Sequence, residues 1–192
     1  MHRQVWSIAD HGSDYVVLKL ALEDGLGGFP GNREIELRYT VHKTTISMTV
    51  NATTDAPTPF NPANHSYWSL DPTVGFSGQT FQVNADHYSE PDENLMPTGQ
   101  ILPVEGSPYD FRRGAVMAGD NSQFFDLNLC IASQKRPLTT VATLTGTQGV
   151  RMEMATTECG VQLYDGGTIH APDYNTHHDA PYGPYAAPAL EA

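Results

Sequence analysis

Basic residues and long apolar runs are both scarce in this sequence. Its 192 residues include 10 Lys and Arg against 22 Asp and Glu, which gives a formal net charge of −12. That balance excludes the basic surface that binding to nucleic acid or to an anionic lipid surface requires. No apolar run approaches the roughly 18 residues that span a bilayer, and the N-terminal MHRQVWSIAD lacks the charged-then-apolar pattern of a signal peptide. We expect no nucleic-acid or membrane partner, and a cytoplasmic location.

Cysteine is also scarce, at two residues in the chain. Cys130 and Cys159 both fall in segments with strand-like sequence. Two isolated thiols more often stay reduced than pair in a cytosolic protein, although a bond between them remains open. The CxxC and HExxH spacings are absent, and the adjacent His177–His178 pair is a weak metal signal because neighbouring side chains point apart. The sequence therefore predicts no metal site.

A period of two in hydrophobicity runs through most of the chain. In EIELRYTV (34–41), apolar side chains alternate with charged or polar ones, and the HKTT break turns this segment and the next into a hairpin. Such alternation is typical of half-buried antiparallel strands. The predicted strands cover 15–22, 34–41, 45–52, 80–84, 127–132, 138–145, 150–156 and 160–164.

The connections between these strands are rich in Gly and Pro, of which the chain has 17 and 14. They cover 25–32, 55–64 and 91–106, and a long loop is predicted over 170–188. No helix longer than two turns and no internal repeat is apparent. We expect a single all-β domain over 1–192, built as a sandwich or a barrel of antiparallel sheets.

His65 is the first candidate for chemistry. It lies in FNPANHSYWSL (60–70), at the entry to an aromatic stretch, and histidine suits general acid–base work near neutral pH. Most histidines are not catalytic, so the local sequence favours a structural histidine packed against Tyr67 and Trp68. Those two aromatics are either a platform for a sugar face or ordinary core residues, and core is the better expectation for one of them.

Several acidic residues are also candidates. Asp126 opens the apolar strand FFDLNLCI, where a carboxylate costs free energy unless it has partners. Asp110 has Arg112 or Arg113 as a possible partner, in a bond worth little if it is exposed. Glu191 by itself has the position of a frayed terminus.

Six segments, in chain order, resemble motifs of the aldose 1-epimerase (galactose mutarotase) family. NPANHSYWSL is similar to N-x-x-N-H-S-Y-[FW]-x-L, GVQLYDGGTI to G-V-Q-x-Y-[TS]-G, and ALEA to the start of L-E-x-Q. NHSY alone is a weak signal, but the ordered set spans essentially the whole chain. The six are GFPGN (28–32), NPANHSYWSL (61–70), DENLMPTGQILPVEGSPYDFR (92–112), FDLNLCI (125–131), GVQLYDGGTI (160–169) and ALEA (189–192).

The resemblance implies a galactose mutarotase-like β-supersandwich of antiparallel sheets. It implies interconversion of the α and β anomers of free aldoses such as galactose and glucose, with no cofactor and with the small sugar as the partner. By motif position, His65 matches the proton-donating histidine and Glu191 the general base. Asp126 and Gln162 match residues that hydrogen-bond the sugar, and Ser66 and Tyr67 flank the acid and help to shape the site.

The resemblance further implies that the chain is the central portion of the family domain, cut at both ends. The family's second sugar-site histidine, in an HGG motif, and an arginine precede the matched region, and the Gln of L-E-x-Q is absent. Three alternatives therefore stay open. They are a non-catalytic carbohydrate-binding remnant, an inactive fragment, and an epimerase of phosphorylated sugars, for which Arg112 and Arg113 are the one adjacent pair of arginines.

Overall fold

Antiparallel strands make up nearly all of the regular structure. The computed structural model describes residues 1, 3–73, 75–122, 124–171 and 181–192, which fall into two compact units, Met1–Pro62 and Ala63–Ala192. Within the described residues, a short 3₁₀ turn at Leu26–Gly28 is the one helical element, and none is a helix long and apolar enough to cross a membrane. The predicted all-β class is confirmed, whereas the single domain over 1–192 stays a prediction.

The first unit contains one sheet in which four consecutive strands lie side by side. Strands β3 and β4 pair from Arg33 opposite Thr54 to His42 opposite Thr45, so the predicted hairpin is confirmed. Leu20, Leu22 and Ile35 are buried on one side of this sheet. The four strands are β1 (Ser7–His11), β2 (Tyr15–Leu22), β3 (Arg33–His42) and β4 (Thr45–Thr54).

The second unit contains two antiparallel sheets. In order of pairing, one sheet runs β11, β10, β5, β8, and the other runs β13, β12, β9, β6, β7. The strands of the described residues are β5 (Thr80–Val83), β6 (His87–Pro91), β7 (Pro97–Pro103), β8 (Ala115–Val116), β9 (Asp126–Cys130), β10 (Thr139–Thr145), β11 (Arg151–Thr156), β12 (Gly160–Tyr164) and β13 (Ala189–Glu191).

Both sheets of the second unit contribute to a single hydrophobic core, as in a sandwich. Phe81 from β5 and Leu144 from β10 join the same buried cluster as Leu129 from β9 and Leu163 from β12. Phe111 links the two ends of this cluster through edge-to-face contacts, with ring centroids 5.1 Å from Phe81 and 5.4 Å from Phe125. Because one face of β9, β12 and β13 is committed to this core, their other face is available for a site.

Two sequence predictions about the strands are wrong. The sequence predicts a connection over 91–106, but the middle of this stretch forms strand β7, which begins at Pro97 and ends at Pro103. Proline is tolerated there because β7 is an edge strand of its sheet, where a missing N–H interrupts no ladder. Cys159 was placed in a strand but lies in the bend between β11 and β12, and both thiols are free.

Candidate active site

Strands β9, β12 and β13 expose a polar face opposite the core. The residues of these strands that face the core are Leu127, Leu129, Val161, Leu163 and Leu190, and all five are buried. The intervening residues therefore point to the other side of the sheet, because side chains alternate along a strand. Those residues are Asp126, Asn128, Gln162, Tyr164 and Glu191.

The segment that carries His65 extends this sheet beyond β13. The Trp68 N–H donates to the Pro188 carbonyl at 2.9 Å, and Tyr67 forms an antiparallel bridge with Ala189. Continuing the same register by two residues places His65 opposite Glu191. A residue from the middle of the chain and one from its end thus become cross-strand neighbours.

Two rows of side chains cross the polar face. In the first row, His65 is followed by Glu191 and then by Gln162 and Asn128. In the second row, Tyr67 is followed by Ala189 and then by Tyr164 and Asp126. Directly opposite residues in antiparallel strands have Cβ atoms about 4.5–5.5 Å apart, so each row is a line of touching neighbours.

The first row contains an acid–base pair. The His65 Nε2 lies 3.3 Å from the Glu191 Oε1, with the imidazole 53% exposed and the carboxylate side chain 15% exposed. Burial raises the pKa of the Glu191 carboxyl above its ordinary value, His65 lowers it, and Asp126 raises it further. A carboxylate whose pKa is raised toward neutrality is a better general base than an exposed one.

Asp126 and Gln162 form a hydrogen-bonded pair that joins the two rows. The Gln162 Nε2 donates to the Asp126 Oδ1 at 2.8 Å, from strand β12 to strand β9. Because this bond uses the amide nitrogen of Gln162, its Oε1 is still available as an acceptor. The second carboxylate oxygen of Asp126 receives no hydrogen bond from Gln162. Carboxylate and amide oxygens together bind hydroxyl groups, and the charged one does so more strongly.

Two tyrosine rings lie beside His65 on this face. Tyr67 lies 5.2 Å from His65 between ring centroids, and Tyr164 lies 6.3 Å from His65 and 6.2 Å from Tyr67. The two tyrosines flank the small, fully buried Ala189 in their row, which lets the rings meet above it. Burial, with further contributions from Tyr164, Glu191 and Asp126, raises the pKa of Tyr67 and keeps its phenol protonated as a donor.

The structure brings His65, Tyr67, Asp126, Gln162 and Glu191 onto one face, and the catalytic and sugar-binding roles given to them stay predictions. Ser66 lies on the other side of its extended segment. Its N–H donates to the Asn64 Oδ1 at 3.0 Å. Within the part of the chain that is described, Ser66 makes no side-chain hydrogen bond to the residues of the polar face. Trp68 packs against the core, which agrees with the expectation that one of the two aromatics is a core residue.

Sequence reasoning missed two residues of this face. Tyr164 and Asn128 follow Gln162 and Asp126 at a spacing of two, so strand periodicity alone identifies them as residues of the same face. Asn128 lies against Gly160, where a side chain would collide with the Asn128 amide. Tyr164 is held at its other end by Thr168, whose hydroxyl is 2.6 Å from the phenol oxygen.

Histidines and carboxylates are also the side chains that bind metal ions. Over the described residues, no group of three or more His, Cys, Asp or Glu is arranged to hold a metal ion. The predicted weak signal at His177–His178 lies outside those residues. The side chains of the polar face are those of proton transfer and hydroxyl binding.

The fold and the site together define an antiparallel β-sandwich protein with an accessible His–carboxylate pair. The family model for aldose 1-epimerase matches residues 1–192. Human galactose mutarotase is 30% identical over 152 residues, which are 76% of this chain and 44% of that protein. Aldose 1-epimerase of Escherichia coli K12 is 33% identical over 117 residues, which are 60% of this chain and 34% of that protein.

Solved structures give the same result. The aldose epimerase homologue from C. elegans superposes with a TM-score of 0.85 at 25% identity, over 97% of this chain and 58% of that one. The galactose 1-epimerase of Lactobacillus acidophilus gives a TM-score of 0.79 at 25% identity, over 98% of this chain and 57% of that one. The chain belongs to the aldose 1-epimerase family, with the galactose mutarotase-like fold, and it spans about half the length of these relatives.

Proposed function

We propose that this protein is an aldose 1-epimerase that interconverts the α and β anomers of a free aldohexose such as galactose or glucose. His65 acts as the general acid and Glu191 as the general base. The observation that carries the proposal is the 3.3 Å approach of the His65 Nε2 to the Glu191 Oε1 on a face lined with hydroxyl-binding groups. The names of the human and Escherichia coli relatives support a free aldose as the substrate.

The reaction requires two proton transfers, one at each of the two oxygens bonded to C1. His65 gives a proton to the ring oxygen while Glu191 takes the proton of the C1 hydroxyl, and the bond between C1 and the ring oxygen breaks. The open-chain aldehyde then rotates about the C1–C2 bond. On closure the C5 hydroxyl attacks the opposite face of the carbonyl, returns its proton to His65, and the C1 oxygen takes the proton back from Glu191. No proton is gained or lost in the cycle.

The other polar groups of the face hold the sugar in place for these transfers. Asp126 accepts a hydrogen bond from Gln162, and both side chains keep acceptor capacity for sugar hydroxyls. The rings of Tyr67 and Tyr164 provide an apolar surface of the kind that C–H groups of a pyranose pack against. Holding a flexible substrate in one orientation next to an acid and a base supplies a large share of the rate enhancement over the uncatalysed reaction.

Arg112 argues against the phosphorylated-sugar alternative. Its guanidinium donates to Asp110 through Nε at 2.8 Å and through Nη2 at 2.7 Å, and to Asp86 through Nη1 at 3.1 Å. The hydrogen bonds from Arg112 to Asp110 lower the pKa of that carboxyl to about 2. An arginine committed to two carboxylates has little capacity left for a phosphate.

Polarimetry of freshly dissolved α-D-galactose and α-D-glucose tests the proposal. We expect the chain to accelerate the approach to anomeric equilibrium, and we expect His65→Asn to remove most of that acceleration. His42→Asn is the matched control, because His42 is an exposed histidine at the end of β3 and is not one of the residues of the polar face.

Three results would count against the proposal. If His65→Asn accelerated mutarotation as well as the unchanged chain, His65 would not be the acid. If the folded chain bound galactose in a calorimetric titration without accelerating mutarotation, it would be a carbohydrate-binding remnant. A folded chain with neither binding nor acceleration would be an inactive fragment of the family domain.

A further inference from the structure

Asp165 is a buried carboxylate directly after the site residue Tyr164. It is 1% exposed, and each of its oxygens accepts a backbone hydrogen bond. The Phe125 N–H donates to Oδ2 at 2.7 Å, and the Gly167 N–H donates to Oδ1 at 2.8 Å. None of the proton transfers proposed above uses this group.

The carboxylate replaces one bond of the β9–β12 ladder. The Asp165 N–H donates to the Phe125 carbonyl at 2.9 Å, as the ladder requires. The return bond from the Phe125 N–H goes to the Asp165 side chain and not to its main-chain carbonyl. The main chain is thereby free to turn immediately after the strand, at Gly166, whose φ is +75°.

Three segments that carry site residues meet at this point. Phe125 precedes Asp126 on β9, and Asp165 follows Tyr164 on β12. The third segment is the one that leads into β13 and Glu191, because the Tyr185 N–H donates to the Gly166 carbonyl at 3.1 Å. Gly166 lies so close to this segment that a Cβ atom would be 2.9 Å from the Ala187 carbonyl oxygen.

The turn also reaches the ring of Tyr164. The Gly167 N–H is bonded to Asp165, and the N–H of the next residue, Thr168, donates to the Tyr164 hydroxyl at 3.2 Å. The orientation of this ring next to His65 therefore depends on the turn that Asp165 holds. Burial and the nearby Asp126 raise the pKa of Asp165, whereas its hydrogen bonds from the backbone lower it.

We propose that Asp165 is a positioning residue, which locks the ends of β9 and β12 and the turn after β12 so that Asp126, Tyr164 and His65 keep their arrangement. A buried carboxylate is costly unless its hydrogen bonds are made, and both of these bonds go to backbone on the border of the site. The kinetic part of this inference rests on the proposed function. The structural part does not.

The test compares Asp165→Ala, which loses both acceptors, with Asp165→Asn, which keeps one. Asp92→Ala is the matched control, because Asp92 also accepts two backbone hydrogen bonds, from Asn94 at 2.8 Å and Met96 at 2.9 Å, in the turn between β6 and β7. We expect Asp165→Ala to lower kcat/KM roughly 10- to 100-fold, the size of loss that a small misplacement of reacting groups causes. Both kcat and KM should change, Asp165→Asn should lie between, and Asp92→Ala should match the unchanged chain.

A second readout does not depend on activity. The His65 imidazole protons lie near two aromatic rings, so their NMR resonance, assigned by its loss in His65→Asn, reports the arrangement of those rings. In Asp165→Ala this resonance should move toward that of an exposed histidine, and in Asp92→Ala it should stay. If the chain proves inactive, the proposed function fails while the resonance still decides the role of Asp165.

The result that would overturn the inference is a folded Asp165→Ala with unchanged kinetics and an unchanged His65 resonance. If Asp165→Ala does not fold, Asp165→Asn decides in the same way. A loss of thermal stability in Asp165→Asn without any change in kinetics or resonance would reduce Asp165 to a stabilising residue and would also overturn the inference.

Discussion

The acid–base pair leads to a prediction about how two substitutions combine. Glu191→Gln keeps the size of the side chain and its cross-strand place opposite Gln162, but removes its ability to take a proton. General acid–base catalysis contributes about 10²- to 10⁴-fold, which is about 2.7–5.4 kcal/mol of transition-state stabilisation at 1.36 kcal/mol per tenfold. We expect a loss of that size in kcat/KM for Glu191→Gln and a similar loss for His65→Asn.

The double variant is the informative one. The two groups lie 3.3 Å apart and must both act in the same ring opening. Once one of them has been removed, removing the other should therefore lower kcat/KM little further. Residues that act as a unit show this strong non-additivity. We expect the double variant to be at most about tenfold slower than the slower single variant, rather than slower by the product of the two losses.

Polarimetry of α-D-galactose at several concentrations gives kcat/KM for the unchanged chain, the two single variants and the double variant. Glu153→Gln is the matched control, because Glu153 lies on β11 in an exposed ion pair with Arg151. Losses that multiply in the double variant would refute the reasoning, since they would mean that His65 and Glu191 act in independent steps. A Glu191→Gln variant as active as the unchanged chain would assign the base elsewhere.

Three further predictions concern the rest of the site. Because burial raises the pKa of Glu191, kcat/KM should fall with decreasing pH already above the ordinary range of a glutamate, and a pH–rate profile measures where this limb lies. Asp126→Ala should raise KM roughly 10- to 100-fold, the equivalent of a lost charge-assisted hydrogen bond of about 1.5–3 kcal/mol, and Asp120→Ala is a control from an exposed turn. Ala189→Leu should push apart the two tyrosine rings that meet above it, at a cost of about 1–3 kcal/mol in the free energy of unfolding and with a lower kcat/KM, as measured by urea titration and polarimetry.

Each of these has a result that would contradict it. An acid limb at the position of an exposed glutamate would mean that burial does not tune the base. An unchanged KM in Asp126→Ala would remove this carboxylate from sugar binding. An Ala189→Leu variant as stable and active as the unchanged chain would show that the rings need no small residue between them.

Periodicity predicted eight of the thirteen strands found in the described residues. The eight predicted strands all correspond to observed ones, and the hairpin of β3 and β4 has the expected pairing. Strand β7 was missed because its prolines suppress the strand signal, and they are compatible with a strand at the edge of the sheet. Strand β13 is three residues long, too short for any alternation to identify it.

The sequence by itself determined which side chains share a face of each strand, because side chains alternate between the two faces with a period of two. Through motif resemblance it also led to the prediction that His65, Asp126, Gln162 and Glu191 belong to one site. The tertiary structure decided which of these are neighbours. His65 and Glu191 are separated along the chain by nearly its whole second unit, and only the antiparallel register through Tyr67 and Ala189 makes them opposite each other. The role proposed for Asp165 depends on the tertiary structure in the same way, because only the pairing of β9 with β12 brings its buried carboxylate to the Phe125 N–H.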